Sequence, residues 1–235
     1  TALVTASESM ESPVIYTGDA TATTTADGGL PWVVGAHNIQ TYRANRTCPA
    51  HKDGLDHTYL HAPMLAYWED QFYLAYLSGP VNEHDAPTDT SFQTSADGLH
   101  WSAPRLLFPA YRLPDGSMTV THQRMVWYVA PNGRLLATAF HGEAPSPNDG
   151  SGVGRVVREV HRDGSLGPIH WIRLNQQEGW DPAKAAIYPM FTESGDTGFV
   201  DACRALLQDK LVRAQWWEED RSEDGFYRVK GKALS

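Results

Sequence analysis

The sequence predicts an all-β fold, a β-propeller. Three observations carry that expectation: a repeat of about 60 residues, a pair of apolar runs joined by a polar tip inside each repeat, and a glycine- and aromatic-bearing turn after the third run. His61-Ala62-Pro63-Met64-Leu65-Ala66-Tyr67 aligns with His122-Gln123-Arg124-Met125-Val126-Trp127-Tyr128, which places two His-x-x-Met starts 61 positions apart. Ile187-Tyr188-Pro189-Met190-Phe191 makes a third start, with its methionine 65 positions further on.

Residues 1–56 hold no repeat start and are expected to be an N-terminal segment supplying closing outer strands. The first blade, 57–117, opens at His61, turns at Glu69-Asp70-Gln71 and returns through 72–77. That return run, Phe-Tyr-Leu-Ala-Tyr-Leu, does not alternate apolar with polar, so both of its faces are expected to be covered. A third strand starts at Ser91, and the turn Ser95-Ala96-Asp97-Gly98-Leu99-His100-Trp101 resembles the Asp-box of sialidase-like propellers, in which the aspartate stabilises a turn. The second blade, 118–178, turns at Ala130-Pro131-Asn132-Gly133, where Asn-Gly favours a two-residue hairpin turn. It continues through 134–140, 155–160, the turn Arg162-Asp163-Gly164 and 169–172, with long loops expected at 79–90 and 142–154. The third unit, 179–235, reads two ways. Residues 197–215 fit an amphipathic helix capped by Asp196 or Thr197, with Phe199, Val200, Cys203, Leu206 and Leu207 on one face. Counting in the register of the first two units instead puts a second strand near 199–206, and the repeat favours this strand and a third blade.

Composition narrows the function. Of 235 residues, 28 are acidic and 19 basic, a net charge of −9, and 41% are hydrophobic with 8 Trp, enough apolar material for a packed core. An acidic chain without a Lys/Arg stripe does not fit nucleic acid as a partner. No apolar run reaches the ~18 residues that cross a bilayer, so no membrane span is expected. The chain is expected to be secreted, its leader already removed, and Asn45-Arg46-Thr47 would suit a glycoprotein. Cys48 and Cys203 lack metal-ligand spacing and are either free thiols or one long-loop disulfide. Three blades fall short of the roughly 4–8 that close a ring, so the remaining blades are expected from a second chain or a C-terminal half.

In a propeller the starts of the first strands and the ends of the second strands meet at one rim. This geometry is expected to gather His61, His122, Tyr188 and Arg124 there, with His141 and Arg204 pointing to the same place. Imidazoles, a phenol and guanidiniums suit an anionic sugar. An arginine neutralises the uronate carboxylate and acidifies the neighbouring C–H, while His or Tyr removes that proton and protonates the leaving oxygen. This β-elimination requires no cofactor. Other signals are weaker: His57 and His61 lack a third ligand for zinc, Asp85, Asp89, Asp149 and Asp201 have no spacing that pairs them, and Trp216-Trp217 either stacks on sugar rings or packs between blades.

Leu60-His61-Ala62-Pro63-Met64, Tyr76-Leu77-Ser78-Gly79-Pro80-Val81-Asn82-Glu83-His84 and Thr94-Ser95-Ala96-Asp97-Gly98 resemble the seven-bladed propeller family of L-rhamnose-α-1,4-D-glucuronate lyases and related α-L-rhamnosidases active on gum-arabic-type glycans, with ulvan lyases as more distant relatives. The resemblance runs from about residue 35 to 235. It implies His122, His141, Tyr188 and Arg204 as the catalytic set, with Arg204 on the glucuronate carboxylate, and His61, Arg124 and His84 as substrate-binding residues. It implies an acidic rhamnose-containing glycan as substrate, cleaved to rhamnose and an unsaturated uronic acid, and it allows a structural calcium ion in the propeller axis, its ligands unassigned. The rhamnosidase relatives are similar in carrying one His near the N-terminus, for which His37 stands, so hydrolysis of the same linkage is the alternative. A non-catalytic acidic-sugar-binding propeller is the second alternative.

Overall fold

A computed structural model describes residues 39–42, 44, 58–143, 152–175, 180–213, 216, 228–229 and 232–233. Gln40–Ser235 is one compact unit and Thr1–Ile39 another, of which only Ile39 is described. His37, Asn45, Cys48 and His57 lie outside the described residues, as does most of the expected N-terminal segment.

Two four-stranded antiparallel sheets follow one another in the chain, each with its strands in sequence order. Blade I comprises β1 (Tyr59–Trp68), β2 (Gln71–Gly79), β3 (Asp89–Ser95) and β4 (Arg105–Phe108). Blade II comprises β5 (Thr119–Val129), β6 (Leu135–Glu143), β7 (Gly154–Val160) and β8 (His170–Leu174). These are two blades of a β-propeller. The β1–β2 hairpin turns on Glu69 and Asp70, with φ of 46° and 63°, the left-handed pair that matches strand twist in a two-residue turn. The Asn-Gly tip of blade II does not make such a turn. Gly133 N–H donates to the Ala130 carbonyl at 2.8 Å and Ala130 N–H to the Arg134 carbonyl at 2.8 Å. With Gly133 at φ 84°, this is a three-residue loop closed by a left-handed glycine.

The core of the propeller lies between the two sheets, where Tyr73, Ala75, Leu77 and Phe92 of blade I meet Leu135, Ala137, Ala139, Val156 and Trp171 of blade II. Hydrogen bonds cross this seam. Trp127 Nε1 donates to the Met64 carbonyl at 3.1 Å, Trp68 Nε1 to that of Gly133 at 2.9 Å, and Arg158 Nη1 to that of Leu107 at 2.9 Å. Indoles bury large apolar area while their single donors still find acceptors. The Asp97 turn is built as expected: Asp97 Oδ1 accepts from the N–H groups of Leu99 and His100, both at 2.8 Å, and Ser95 Oγ accepts from Gly98 N–H at 2.8 Å.

The third unit overturns the strand reading. Residues 197–208 form helix α1 (Thr197–Gln208), followed by a single turn, α2 (Lys210–Arg213). Asp196 caps α1 by accepting from Phe199 N–H at 3.1 Å, and the buried residues Phe199, Val200, Ala202, Cys203 and Leu206 share one face. That spacing follows a 3.6-residue period, and a repeat count cannot override it once the helical face has a surface to bury against. The surface is the far side of blade II: Leu136, Val157 and Ile172 pack with Phe199, Val200, Cys203, Leu206 and Trp216. The helix therefore covers the sheet face on which a third blade was expected. Two short strands, β9 (Arg228–Val229) and β10 (Lys232–Ala233), pair antiparallel near the end of the chain. Trp216 packs in this layer, with the Arg155 guanidinium 4.6 Å from its ring centroid, which answers the question of its role in favour of packing. Cys203 is a buried free thiol, its pKa pushed up to about 12 by burial, and Cys48 lies outside the described residues.

Candidate functional site

The rim of strand starts is assembled by β1, the loop 80–88 after β2, and the first residues of β5. Thr58 Oγ1 donates to the Pro80 carbonyl, and Thr121 N–H to that of Thr88 at 3.2 Å, so the loop is tied to both blades. Inside it, Asn82 Oδ1 accepts from the N–H groups of His84 at 2.8 Å and Asp85 at 3.2 Å, an Asx turn that fixes the direction of the residues between. Its product is a row of three side chains. His61 Nε2 lies 3.8 Å from Glu83 Oε2 and His84 Nε2 lies 3.8 Å from Glu83 Oε1.

All three groups reach solvent, the imidazoles at 41% and 40% and the carboxylate at 23% side-chain exposure. Beside them opens a cavity of about 200 Å³ lined by Tyr42, Leu60, His61, Pro63, Leu74 and Tyr76. Tyr42 and Tyr76 stack with ring centroids 5.9 Å apart and planes 15° from parallel. The arrangement joins an aromatic wall to a carboxylate flanked by two proton carriers. His61 and His84, each expected to bind substrate, stand on either side of Glu83, which the sequence reading quoted within a motif and gave no role. The signal for Glu83 was present, since it directly precedes His84 at the tip of a long loop.

His141 and Tyr188 pack against the same two rings, His141 inside the core and Tyr188 partly buried at its edge. The His141 ring centroid lies 5.3 Å from Tyr111 and 5.9 Å from Trp171, and Tyr188 lies 5.9 Å and 5.8 Å from the same two rings. His141 is fully buried, and among the described residues neither ring nitrogen has a hydrogen-bond partner. Burial lowers its pKa to about 3, so at neutral pH it is an uncharged and weak base. Burial likewise raises the Tyr188 phenol, against the opposing pull of Arg158, and raises Tyr111 more strongly; both hold their protons at neutral pH and suit donation, not abstraction. Tyr111 and Lys184 connect this cluster to the rim: the phenol donates to the Lys184 carbonyl at 2.7 Å, and Lys184 Nζ binds both Glu143 oxygens at 2.8 Å.

Arg204 does not join either group. It sits on the solvent side of α1, paired with Asp201 at 3.1 Å with both side chains more than 60% exposed, and α1 packs on the face of blade II opposite His141. Its expected place at the rim depended on the strand that the helix replaces. His122 and Arg124 lie on β5 beside a register irregularity between His122 and Val126; their side chains are outside the described set. Among the described residues no three or more His, Cys, Asp or Glu side chains stand where they could hold one metal ion, and no helix is long and apolar enough to cross a membrane.

Comparison with known proteins adds a lineage. A family described as BT_1020-like, N-terminal beta propeller, matches residues 12–233. A solved structure named sialidase is similar at 40% identity and a TM-score of 0.78 over 87% of this chain, which spans 20% of that protein's length. Two others share less: an N-acetylgalactosamine deacetylase from F. plautii, in complex with blood group B trisaccharide, at 14% identity over 45% of this chain and 28% of its own (TM-score 0.34), and a xylan beta-1,4-xylosidase from Bacillus halodurans C-125 at 20% over 50% of this chain and 21% of its own (TM-score 0.35). No curated protein matches.

Proposed function

The chain belongs to the BT_1020-like N-terminal β-propeller family, and we propose that it is the glycan-handling propeller of a larger carbohydrate-processing enzyme, with its ligand face at the rim of His61, Glu83 and His84. The observation that carries this reading is the imidazole–carboxylate–imidazole row beside an aromatic-walled cavity. Sugar rings offer C–H faces that pack on aromatic side chains and hydroxyls that bond to fixed polar groups, the mixture a ligand cavity of this kind supplies. The similarity to a sialidase supports the same class, over the fifth of that protein which this chain spans.

Within that class the most specific reaction is β-elimination at an L-rhamnosyl-α-1,4-D-glucuronate linkage. Glu83 with its two histidines supplies the proton-transfer groups for it, while Arg204 does not supply the carboxylate clamp. Hydrolysis of the same linkage and binding without turnover are the other outcomes. The test is incubation of the complete enzyme with a rhamnosyl-glucuronate glycan, read by ultraviolet absorbance and by released rhamnose. Rising absorbance marks the conjugated uronate of elimination, rhamnose with a flat trace marks hydrolysis, and neither one sinks the reaction. Glu83→Gln is expected to lower turnover, or glycan affinity where no turnover occurs, by about 10²-fold. Unchanged turnover and affinity would remove the rim from the site.

A further inference from the structure

The opposite end of blade II holds a second cavity, of about 130 Å³, where the turn between β7 and β8 meets the start of α1. Phe199 and Pro168 give it an apolar side; Glu159, Asp196, His161 and Ser194 give it a polar one. The carboxylates are fixed. Arg134 Nη1 lies 2.6 Å from Glu159 Oε2 and 2.7 Å from Asp196 Oδ2, and Arg134 Nη2 lies 3.0 Å from Asp196 Oδ1. Asn132 Nδ2 donates to the Gly198 carbonyl at 2.8 Å, so the hairpin tip of blade II and the first turn of α1 are locked together around the cavity.

His170 is the independent observation. It lines the cavity while only 6% exposed. Its ring sits 5.0 Å from that of Phe199. Nδ1 lies 3.3 Å from the Pro168 carbonyl, whereas Nε2 meets no hydrogen-bond partner among the described residues. That nitrogen keeps contact with solvent in the cavity, so it is free to exchange a water for a ligand's hydroxyl. The chemistry of the remaining groups narrows the ligand. Two carboxylates repel an anion. Arg134 already compensates them, and no three metal-ligating side chains stand together here, so a metal ion is not favoured. Carboxylates with free lone pairs, an open imidazole nitrogen, a hydroxyl and a phenyl face match a neutral ring carrying several hydroxyls and an apolar C–H face.

We propose that this cavity is a subsite for a neutral monosaccharide unit, separate from the rim of His61, Glu83 and His84. It orients the sugar through Glu159, His161 and the buried His170, with Phe199 beneath the ring. A glycan-processing chain then holds its substrate at two ends of one blade pair. The subsite does not depend on the reaction class assigned to the rim.

The probes are methyl α-L-rhamnopyranoside, methyl β-D-galactopyranoside and methyl β-D-glucopyranoside at millimolar concentration, observed by saturation-transfer difference NMR. The protein carries Glu83→Gln so that the rim is silenced. At least one glycoside is expected to receive saturation, and adding Glu159→Gln, which keeps the shape of a side chain only 13% exposed, or His161→Ala at a side chain 44% exposed, is expected to weaken its affinity about tenfold. No transfer from any of the three, or transfer untouched by both additional changes, overturns the subsite. The rim reading fails separately, when Glu83→Gln alone leaves the glycan affinity and turnover of the complete enzyme unchanged.

Discussion

Blade I and blade II have the same topology, order and hairpin logic, yet they treat their polar groups and their outward faces in opposite ways. Blade I carries its histidines at the surface, half-exposed around Glu83, and the side of its sheet turned away from blade II shows Leu65 at 63%, Tyr67 at 57% and Leu106 at 42% exposure. Blade II buries His141 without a hydrogen bond among the described residues and has its outward face sealed by α1. What differs is the neighbour. A sheet face becomes core or surface according to what packs on it, and the same strand pattern serves either end. The open face of blade I is where we propose that a further blade of the complete propeller docks.

The strongest way to break this contrast is through pH. The unfolded chain protonates His141 near its ordinary value of 6.5, and the folded chain only at about 3, so the unfolded state holds more protons between those two values. Stability therefore falls as pH drops from about 6.5 toward 3, by up to on the order of 5 kcal/mol across the window. His141→Phe is expected to flatten that slope in denaturant titrations at several pH values, and an unchanged slope would mean the imidazole is not sealed in solution.

Phe199→Ala is expected to cost about 3–5 kcal/mol, the range for emptying an aromatic from a core, because Phe199 is 4% exposed against blade II. Leu65→Ala on the open face of blade I should stay within about 0.5 kcal/mol. Equal costs in chemical denaturation would erase the difference between the two faces. Next in size, Arg134→Ala removes the bidentate contact to Asp196 and the bond to Glu159, and a loss of about 1–3 kcal/mol is expected. Ser95→Ala in the blade I turn deletes the acceptor for Gly98 N–H and should lower stability by about 1 kcal/mol. Smallest of all, Arg204→Ala leaves only an exposed pair with Asp201 unmade, a change expected within about 0.5 kcal/mol and without effect on glycan turnover. A large loss of turnover there would restore Arg204 to the site.

The blades were legible because local pattern and tertiary need agree in them. The runs at 72–77 and 155–160 sit within β2 and β7, the run at 134–140 overlaps β6 in all but its first residue, and the Asp97 turn forms the hydrogen bonds its residues advertise. Disagreement begins at residue 197. There the helical stripe and the repeat count competed, and the stripe prevailed because Leu136, Val157 and Ile172 offered it an apolar surface. The site was legible in part. His61 lies near the start of β1, where strand-start geometry puts it, whereas Glu83 and His84 join it only through the Asx turn at Asn82, and His141 ends inward because Tyr111 and Trp171 close over it.

By itself the amino-acid sequence determined the repeat, the four-stranded hairpin units and the polar character of one rim, since periodicity and turn chemistry act over a few residues. Only the tertiary structure decided which histidine meets solvent, which arginine is stranded on a helix and which face of each sheet is covered. Burial and proximity are set by what packs opposite, and that partner lies tens of residues away in the chain.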